Sequence, residues 1–532
     1  MLSLRIGFVA SALALTIGAE ATAGTITVPS GGDLQSALDR AQPGDTILLQ
    51  AGTTYVGNFT LGVKDGASYI TIRSAILDAR LPASGVRMTP TLGANLARLQ
   101  SPNLDPAVKT AAGAHHWRLL ALEVAAVADG VGDIIRLGDG SSEQRSLDVV
   151  AHDLVVDRCY VHGTPDGVQK RGIAINSAST SILNSWISNI KAVDQDSQAV
   201  AGWNGPGPFL VENNYLEAAG ENFLLGGADP SISGLVPTGV TFRGNWVVKP
   251  TAWRGGRWQV KNLLELKNAR GVVIEDNLFE NNWQAAQSGY AILFTPRNQD
   301  GGSPWATVSD VTFRSNIVRH VAAAINILGH DSPNPSGPAS GITIAGNLVY
   351  DVNPQTWGGD GTFLQIGDSP ANVVVVHNTA LQSGSIVTVY GGTASAPAQV
   401  VGFVFRSNLV LHNTYGIKGD SHAVGNSTIS AYFPGADVSG NVIAGGQASL
   451  YPAGNMFPSV AQMYAQFVSP ASNNYQLLSS SAYLSIATDG SVVGADAPSL
   501  RATVARVMDN GEAGRRPATG PVVGTAKPKI GG

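Results

Sequence analysis

Residues 241–248, TFRGNWVV, carry the pattern that decides the fold: apolar and polar residues alternate, an asparagine follows, and a second apolar run begins. Residues 312–318, TFRSNIV, repeat this pattern. Eight copies align, and their asparagines are separated by 31, 32, 39, 31, 31, 30 and 33 residues. The eight are Asn214, Asn245, Asn277, Asn316, Asn347, Asn378, Asn408 and Asn441. A repeat with a period of about 31 residues indicates a protein built from stacked structural repeats.

The alternation within each copy predicts a strand with one buried face. No helical period lies between the copies, which excludes β-α-β units and favours a solenoid with one copy in each coil. Asparagine suits the turn between two strands because it tolerates left-handed backbone angles. Asparagines stacked from coil to coil can also hydrogen-bond to one another. The alternative, an ordinary β-sandwich, predicts no fixed residue at a fixed spacing.

A second strand aligns between the asparagines, for example residues 263–270, LLELKNAR, and residues 291–298, AILFTPRN. Charged residues follow this strand in successive coils. Neighbouring coils are about 4.8 Å apart, so we expect these side chains to line up along the solenoid. They are Asp229, Lys267, Arg297, His330, Asp368 and Asp420.

The two ends of the solenoid need protection because open strand edges invite aggregation. Residues 33–42, DLQSALDRAQ, predict a helix that caps the first coil, with Asp33 as its N-cap. Residues 74–118 are expected to form an irregular insertion. The β-helix domain is predicted to span residues 24–498, and residues 499–532 to form a terminal helix and a mobile tail.

Composition limits the class of protein. Only 13 % of the residues are charged and 63 of 532 are glycine, which favours many strands and turns over a helical bundle. The net charge of -5 argues against binding nucleic acid by bulk electrostatics. Cys159 is the single cysteine in the sequence, which excludes an intrachain disulfide and a cysteine-based metal site.

Residues 1–23 read as a signal peptide. Arg5 supplies the positive charge, residues 6–17 are mostly apolar, and Ala21 and Ala23 form a small-residue cleavage site before Gly24. The apolar stretch is shorter than the ~20 residues that a membrane-spanning helix needs. We therefore predict a secreted or periplasmic monomer without a membrane span.

Two segments carry a resemblance to a known superfamily. Residues 31–55, GGDLQSALDRAQPGDTILLQAGTTY, resemble the opening of secreted right-handed parallel β-helix proteins of the pectate-lyase-like type. Residues 475–496, YQLLSSSAYLSIATDGSVVGAD, resemble their closing segment. The resemblance implies an all-β, right-handed parallel β-helix with an N-terminal capping helix. That superfamily includes lyases, hydrolases, epimerases and non-catalytic proteins, so the fold alone does not give the activity.

Tryptophan and basic residues concentrate in the middle of the chain. Residues 243–330 carry ten Lys and Arg against six Asp and Glu. Indole rings stack on sugars and guanidinium groups pair with carboxylates, so this composition suits an acidic polysaccharide. The alternative is that the indoles pack on the outer face of a sheet and the charges lie in solvated loops. The candidate substrate-binding residues are Trp253, Trp258, Arg270, Trp283 and Trp305.

Residues 262–279, NLLELKNARGVVIEDNLF, followed by residues 289–298, GYAILFTPRN, are similar in order to polysaccharide lyase family 6, the chondroitinase B and alginate lyase group. Asn268 stands where that family has serine. The resemblance implies β-elimination at a uronate in an acidic polysaccharide.

The same resemblance implies roles for individual residues. Lys267 would abstract the proton beside the carboxylate. Glu265 and Asn262 would hold Ca²⁺, which would neutralise that carboxylate; without calcium, Arg270 and Asn262 would do so. Arg297 would stabilise charge near the leaving oxygen. His330 is the third catalytic candidate.

Two other functions remain open from the residues. Hydrolysis needs two carboxyl groups ~5–9.5 Å apart, and Asp331 and Asp368, with His330 nearby, form the best candidate pair. A non-catalytic protein that binds carbohydrate or serves as a surface scaffold is the other alternative, since no catalytic motif is complete.

Overall fold

The computed structural model describes residues 23–93, 95–127 and 129–509. Three long parallel sheets run through these residues, and successive coils contribute a strand to each sheet in turn. The chain is therefore the right-handed parallel β-helix that the repeat and the resemblance predict. Residues 1–22 of the predicted signal peptide and the predicted tail beyond residue 509 lie outside the described residues.

The sheets are named by their order within a coil. In the described residues, the strands of sheet 1 are Thr25–Val28, Thr46–Leu49, Ile70–Ser74, His115–Leu120, His152–Asp157, Ala178–Leu183, Phe209–Glu212, Thr238–Arg243, Ala269–Glu275, Val308–Arg314, Ser340–Ala345, Ala371–Val376, Val404–Arg406 and Asp437–Ser439. Those of sheet 2 are Thr54–Val56, Ala97–Gln100, Leu122–Ala125, Tyr160–His162, Trp186–Ile190, Tyr215–Ala218, Trp246–Val248, Leu278–Asn282, Ile317–Val321, Leu348–Val352, Thr379–Gln382, Leu409–Leu411 and Val442–Ala444. Those of sheet 3 are Phe59–Leu61, Val108–Thr110, Gly130–Gly138, Gln169–Asn176, Gln198–Gly202, Glu221–Leu225, Asn262–Leu266, Tyr290–Phe294, Ala323–Leu328, Leu364–Gly367, Val387–Tyr390 and Ile417–Gly419.

Short helices and two hairpins complete the described chain. The α-helices are Leu34–Arg40, Pro90–Gly93, Pro354–Trp357, Asn426–Tyr432, Val460–Tyr464 and Ala497–Met508. The 3-10 helices are Asp78–Arg80, Leu147–Val149, Thr251–Trp253, Ala448–Leu450 and Pro470–Ser472. Antiparallel pairs join Gly392–Thr393 to Ala396–Pro397 and Phe467–Ser469 to Asn474–Leu477. Among the helices of the described residues, none has the length and apolar character to cross a bilayer.

The eight repeat asparagines form a continuous ladder at the corner between sheets 1 and 2. The side-chain amide of Asn277 donates to Asn316 Oδ1 at 2.9 Å, and that of Asn316 donates to Asn347 Oδ1 at 3.2 Å. All eight side chains are fully buried. The same contact extends the ladder beyond the eighth asparagine, because the amide of Asn441 donates to Asn455 Oδ1 at 2.9 Å. The stacking predicted from the spacing is confirmed.

The left-handed backbone, however, does not lie at the ladder asparagine. It lies at the residue before it, where Asp276, Ser315 and Gly346 have φ angles of 58°, 53° and 63°. The asparagine is needed for its side chain, which satisfies backbone groups inside the corner. Asn316, for example, donates to Ile274 O at 2.9 Å and accepts from Asn277 N at 3.0 Å. The predicted reason for asparagine at this turn was therefore wrong in part.

The space between the three sheets holds one extended apolar core. Side chains at equivalent positions stack from coil to coil, as for the phenylalanines whose ring centroids are separated by 6.1 Å (Phe242 and Phe279) and 5.8 Å (Phe279 and Phe313). Because inward side chains fill this core, a ligand can be bound only on the outer faces of the sheets or in the loops.

The N-terminal end carries the expected helix, Leu34–Arg40. The side chain of Asp33 accepts from Ser36 N at 3.0 Å, so the predicted N-cap is confirmed. Leu34, Ala37 and Leu38 are buried in the main core.

The predicted insertion at 74–118 is only partly irregular. From Ala97 onward its residues form ordinary strands, Ala97–Gln100, Val108–Thr110 and His115–Leu120, one in each sheet. The terminal helix predicted after residue 498 is observed at Ala497–Met508. Its buried Leu500 and Val507 pack with sheet 2 residues such as Leu278, so the segment after the last coil covers the outer face of that sheet.

Candidate functional site

Glu265 and Lys267 lie where the strand Asn262–Leu266 of sheet 3 ends. Leu264 and Leu266 point into the core, so Glu265 between them faces outward. Its carboxylate is nevertheless 2 % exposed and lies 3.3 Å from Lys267 Nζ, whose side chain is 21 % exposed. The ammonium group of Lys267 is thus anchored by a buried carboxylate at the surface of the sheet.

Arg297 lies on the next coil. Its backbone N–H donates to Lys267 O at 2.9 Å, which puts the two residues on neighbouring coils. Its guanidinium donates from Nη1 to Asp331 Oδ1 at 3.0 Å and from Nε to Gln299 Oε1 at 3.2 Å, while the side chain remains 32 % exposed. Arg297 is therefore held in place but open to a ligand.

His330 and Asp331 belong to the following coil. His330 is exposed, and its Nδ1 lies 2.9 Å from the backbone oxygen of Asp368. Asp331 is 2 % exposed and accepts from Arg297 Nη1 and from Asn298 N, both at 3.0 Å. Asp331 thus orients Arg297. Because its carboxylate is occupied by these two contacts, Asp331 is less suited to act with Asp368 as a hydrolytic pair.

A calcium site at Glu265 and Asn262 was expected from the resemblance. Asn262 is fully buried, and its Oδ1 has no hydrogen-bond partner, as a cation ligand would require. Its Nδ2, however, donates to Glu265 Oε2 at 3.1 Å, and the ammonium of Lys267 lies against Oε1. Calcium takes six to eight oxygen ligands. Because both carboxylate oxygens of Glu265 already face N–H donors, these residues do not fit calcium. Within the described ranges, no three acidic, His or Cys side chains converge on one point.

A second group of charges lies upstream on the same face of sheet 3, and sequence reasoning missed it. Glu221, in register with Asn262, is 1 % exposed and accepts from Gln198 Nε2 at 2.9 Å. Lys261 Nζ lies 3.3 Å from Glu221 Oε1 and 2.6 Å from Asp196 Oδ2. The contacts join residues from three coils, so no single stretch of sequence signals them.

Burial and nearby charges set the protonation of this group. Burial first, and then the charges of Glu265 and Asp196, raise the pKa of Glu221 above its usual value, although Lys261 opposes the rise. Burial lowers the pKa of Lys261, but Glu221 and Asp196 outweigh it and hold that pKa above its usual value. A carboxyl group with a raised pKa beside a second carboxylate can act as a proton donor.

The predicted tryptophans form a packing cluster in the loops between sheets 2 and 3. Trp283 is 4 % exposed and contributes to a core with Trp357, against which Trp253 and Trp258 pack. The ammonium of Lys191 lies 5.5 Å from the ring centroid of Trp253 and 5.1 Å from that of Trp258. These rings already contact cations and one another, which favours the alternative that the tryptophans serve packing.

The other two candidate binding residues lie elsewhere. Trp305 is in the loop after sheet 3, half-buried, and its indole N–H donates to Leu235 O at 3.1 Å. Arg270 is the second residue of the strand Ala269–Glu275 of sheet 1, and its Nε donates to Ser309 Oγ at 3.3 Å. The structure thus groups Asn262, Glu265, Lys267 and Arg297 but gives Arg270 no contact with them.

A fully buried lysine supports the start of the strand that carries the candidate site. Lys249 Nζ lies within 3.0 Å of five oxygens that can accept its N–H groups, including Gly220 O at 2.7 Å and Asn262 O at 2.9 Å. Burial lowers the pKa of Lys249 to about 7. Its sequence context, a lysine after a short apolar run, gave no indication of this role.

The chain is similar in structure to known proteins. No family model matches it, and no curated protein matches it. Among solved structures, it is similar to a mannuronic acid specific polysaccharide family 6 lyase from human gut microbiota, with 14 % identity, a TM-score of 0.53, and coverage of 82 % of this chain and 92 % of that one. It is also similar to the catalytic unit of a GH87 alpha-1,3-glucanase from Streptomyces thermodiastaticus, with 14 % identity, a TM-score of 0.50, and coverage of 82 % and 70 %. At this identity the comparisons show a shared fold, so the chemistry must be argued from the residues of this chain.

Proposed function

We propose that the protein is a polysaccharide lyase that cleaves a uronate-containing polysaccharide by β-elimination on the outer face of sheet 3. The observation that carries this proposal is the placement of two partly exposed cations, Lys267 and Arg297, on neighbouring coils joined by a 2.9 Å backbone hydrogen bond. Strands in a sheet are about 4.8 Å apart, so both cations can reach one sugar unit. Cations fixed by buried carboxylates are suited to binding an anionic sugar.

Each residue has a distinct part in the proposed reaction. Lys267 first releases its ammonium proton to water and then, as the amine, takes the proton from the carbon beside the uronate carboxylate. The electron pair forms the carbon–carbon double bond as the bond to the leaving oxygen breaks, and that oxygen takes a proton from water. Arg297 remains charged and stabilises the negative charge that develops on the carboxylate. Glu265 and Asp331 position these two cations through the contacts at 3.3 and 3.0 Å.

The test is incubation of the secreted protein with alginate, pectate and glucuronate-containing glycosaminoglycans. Elimination yields an unsaturated uronate that absorbs ultraviolet light, together with one new reducing end for each cleavage. We expect both signals in equal amounts on at least one substrate. New reducing ends without the absorbance would contradict a lyase, and so would the absence of both signals on every substrate.

Hydrolysis is the second candidate, and the raised pKa of Glu221 beside Glu265 favours it. A protonated carboxyl group and an ionised one form the pair that glycoside hydrolysis uses. In that case Glu221→Gln abolishes the release of reducing ends and Lys267→Ala leaves it largely intact. The lyase proposal expects the reverse order of sensitivity.

Export from the cytoplasm is part of the same proposal and is supported by residues 1–23 alone. Sequencing the N-terminus of protein recovered from outside the cytoplasm tests it, with Gly24 as the expected first residue. An intact N-terminus on recovered protein would contradict the predicted cleavage.

A further inference from the structure

We propose that sheet 3 carries a second, neutral-sugar subsite farther along the solenoid, and that the natural substrate therefore mixes uronate with uncharged sugar units. The proposal rests on the proposed function in that one polysaccharide chain would span both places. We call this surface the Tyr390 patch, and it consists of Gln365, Gly367, Asp368, Thr388, Tyr390 and Asp420.

The patch lies in line with the candidate catalytic residues. The register of sheet 3 runs from Leu266 through Phe294, Ile327 and Ile366 to Val389, so Tyr390 occupies the position of Lys267 four coils on. Four coils at about 4.8 Å each separate the two places by about 19 Å along the solenoid axis. An oligosaccharide of a few units covers this distance.

Tyr390 supplies a flat aromatic surface. A Cβ atom at Gly367 would lie 2.3 Å from the ζ carbon of Tyr390, so the phenol ring crosses directly over the backbone of this glycine. Any other residue at position 367 would push the ring away. Tyr390 is half-buried, so part of its ring remains open to a ligand. Partly exposed aromatic rings with a polar tip are well suited to sugars, which present both C–H and O–H groups.

Hydrogen-bonding side chains lie beside this ring on the same outer face. Gln365 and Thr388 are register partners on adjacent strands, and both are partly exposed. The next residue in this row is Lys418, whose Nζ donates to His422 O at 2.8 Å and is thereby directed to its own turn. The hydroxyl oxygen of Thr388 is buried, so the amide of Gln365 is the group beside the ring that can bind a sugar hydroxyl group.

The charges around the patch distinguish it from the candidate catalytic residues. Asp368 N donates to Tyr390 O and Asp420 N donates to Val389 O, both at 3.2 Å, so the two acidic residues flank the strand that carries Tyr390. Burial first, and then the charges of these two residues, raise the pKa of Tyr390. Carboxylates accept hydrogen bonds from sugar hydroxyl groups but repel a uronate. The patch therefore favours a neutral sugar, whereas Lys267 and Arg297 favour an anionic one.

The experiment measures binding, not turnover. The affinities of cellotetraose, mannotetraose and xylotetraose, and of tetramannuronate as the anionic counterpart, are measured by titration calorimetry with wild type, Tyr390→Ala and Gly367→Ala. Tyr415→Ala is the matched control because Tyr415 is 53 % exposed in another turn. Removal of an aromatic contact is expected to weaken neutral binding about threefold to tenfold. Circular dichroism and the unfolding midpoint establish that each variant is folded.

We expect at least one neutral tetrasaccharide to bind wild type, to bind both patch variants more weakly, and to bind Tyr415→Ala normally. Tetramannuronate binding should change little in the patch variants. Failure of all three neutral sugars to bind, or equal binding to wild type and to the folded patch variants, would overturn the subsite. Since none of these measurements depends on cleavage, a failure of the lyase proposal would appear separately, as missing unsaturated product.

Discussion

Asn316→Ala, in the middle of the asparagine ladder, tests how the fold is held together. The Asn316 side chain donates to Ile274 O and Asn347 Oδ1 and accepts from the backbone and side-chain nitrogens of Asn277. Alanine removes these four hydrogen bonds and leaves buried groups without partners. At a net value of about 1 kcal/mol for each bond, the free energy of unfolding should fall by about 4 kcal/mol.

Urea unfolding followed by tryptophan fluorescence measures this loss. The control is Asn426→Ala, since Asn426 is exposed and its contact to Ser449 O is long, at 3.4 Å. We expect the control to stay within about 0.5 kcal/mol of wild type, as is usual for surface substitutions. A folded Asn316→Ala protein as stable as this control would refute the reasoning that the ladder stabilises the corner.

Three further predictions concern the buried charges. Lys249→Met should lower the free energy of unfolding by about 3 kcal/mol, because the backbone oxygens around it lose their donor. The pKa of Lys249 is about 7 in the folded state, below the ~10.4 of an unfolded lysine. Between these two pH values the unfolded state therefore binds more protons than the folded state. The stability of wild type relative to Lys249→Met should therefore increase as pH rises from 7 to 10, and a constant difference in urea titrations would argue against this. Chelation with EDTA should leave turnover unchanged, since the residues around Glu265 do not fit calcium; a loss restored by added Ca²⁺ would contradict that. Glu221→Gln should retain most of the elimination activity in the ultraviolet assay. Complete loss of activity would indicate that Glu221 takes part in the reaction.

The sequence repeat was sufficient to predict the architecture because each coil repeats the same corner. Asn245 and Asn277 occupy equivalent positions whose spacing is visible in the letters, and the N-cap at Asp33 is a local motif. The left-handed residue before each asparagine was missed because its identity varies, from Asp276 to Ser315 to Gly346. Local patterns were therefore predictable where one residue type serves every coil.

The candidate site was harder to predict because its contacts join residues from different coils. Lys267 and Arg297 could be aligned as neighbours, since each follows the strand predicted between successive asparagines, which lies in sheet 3. The contact of Lys261 with Glu221 depends on the register of neighbouring strands, and the burial of Trp283 depends on how the loops between sheets 2 and 3 pack together. Tryptophan content alone cannot distinguish a packed cluster from an open binding surface.

The most direct test of the central claim compares wild type with Lys267→Ala on the best acidic polysaccharide, by the rate at which the ultraviolet-absorbing product appears. Lys64→Ala is the control, because Lys64 is a half-buried lysine far along the chain from the candidate site, and its Nζ contacts Asp39 O near the N-terminal helix. The account predicts a loss of about 100-fold or more in Lys267→Ala, as expected for removal of a general base, and no change in the control. A folded Lys267→Ala protein that forms the unsaturated product at the wild-type rate would contradict it.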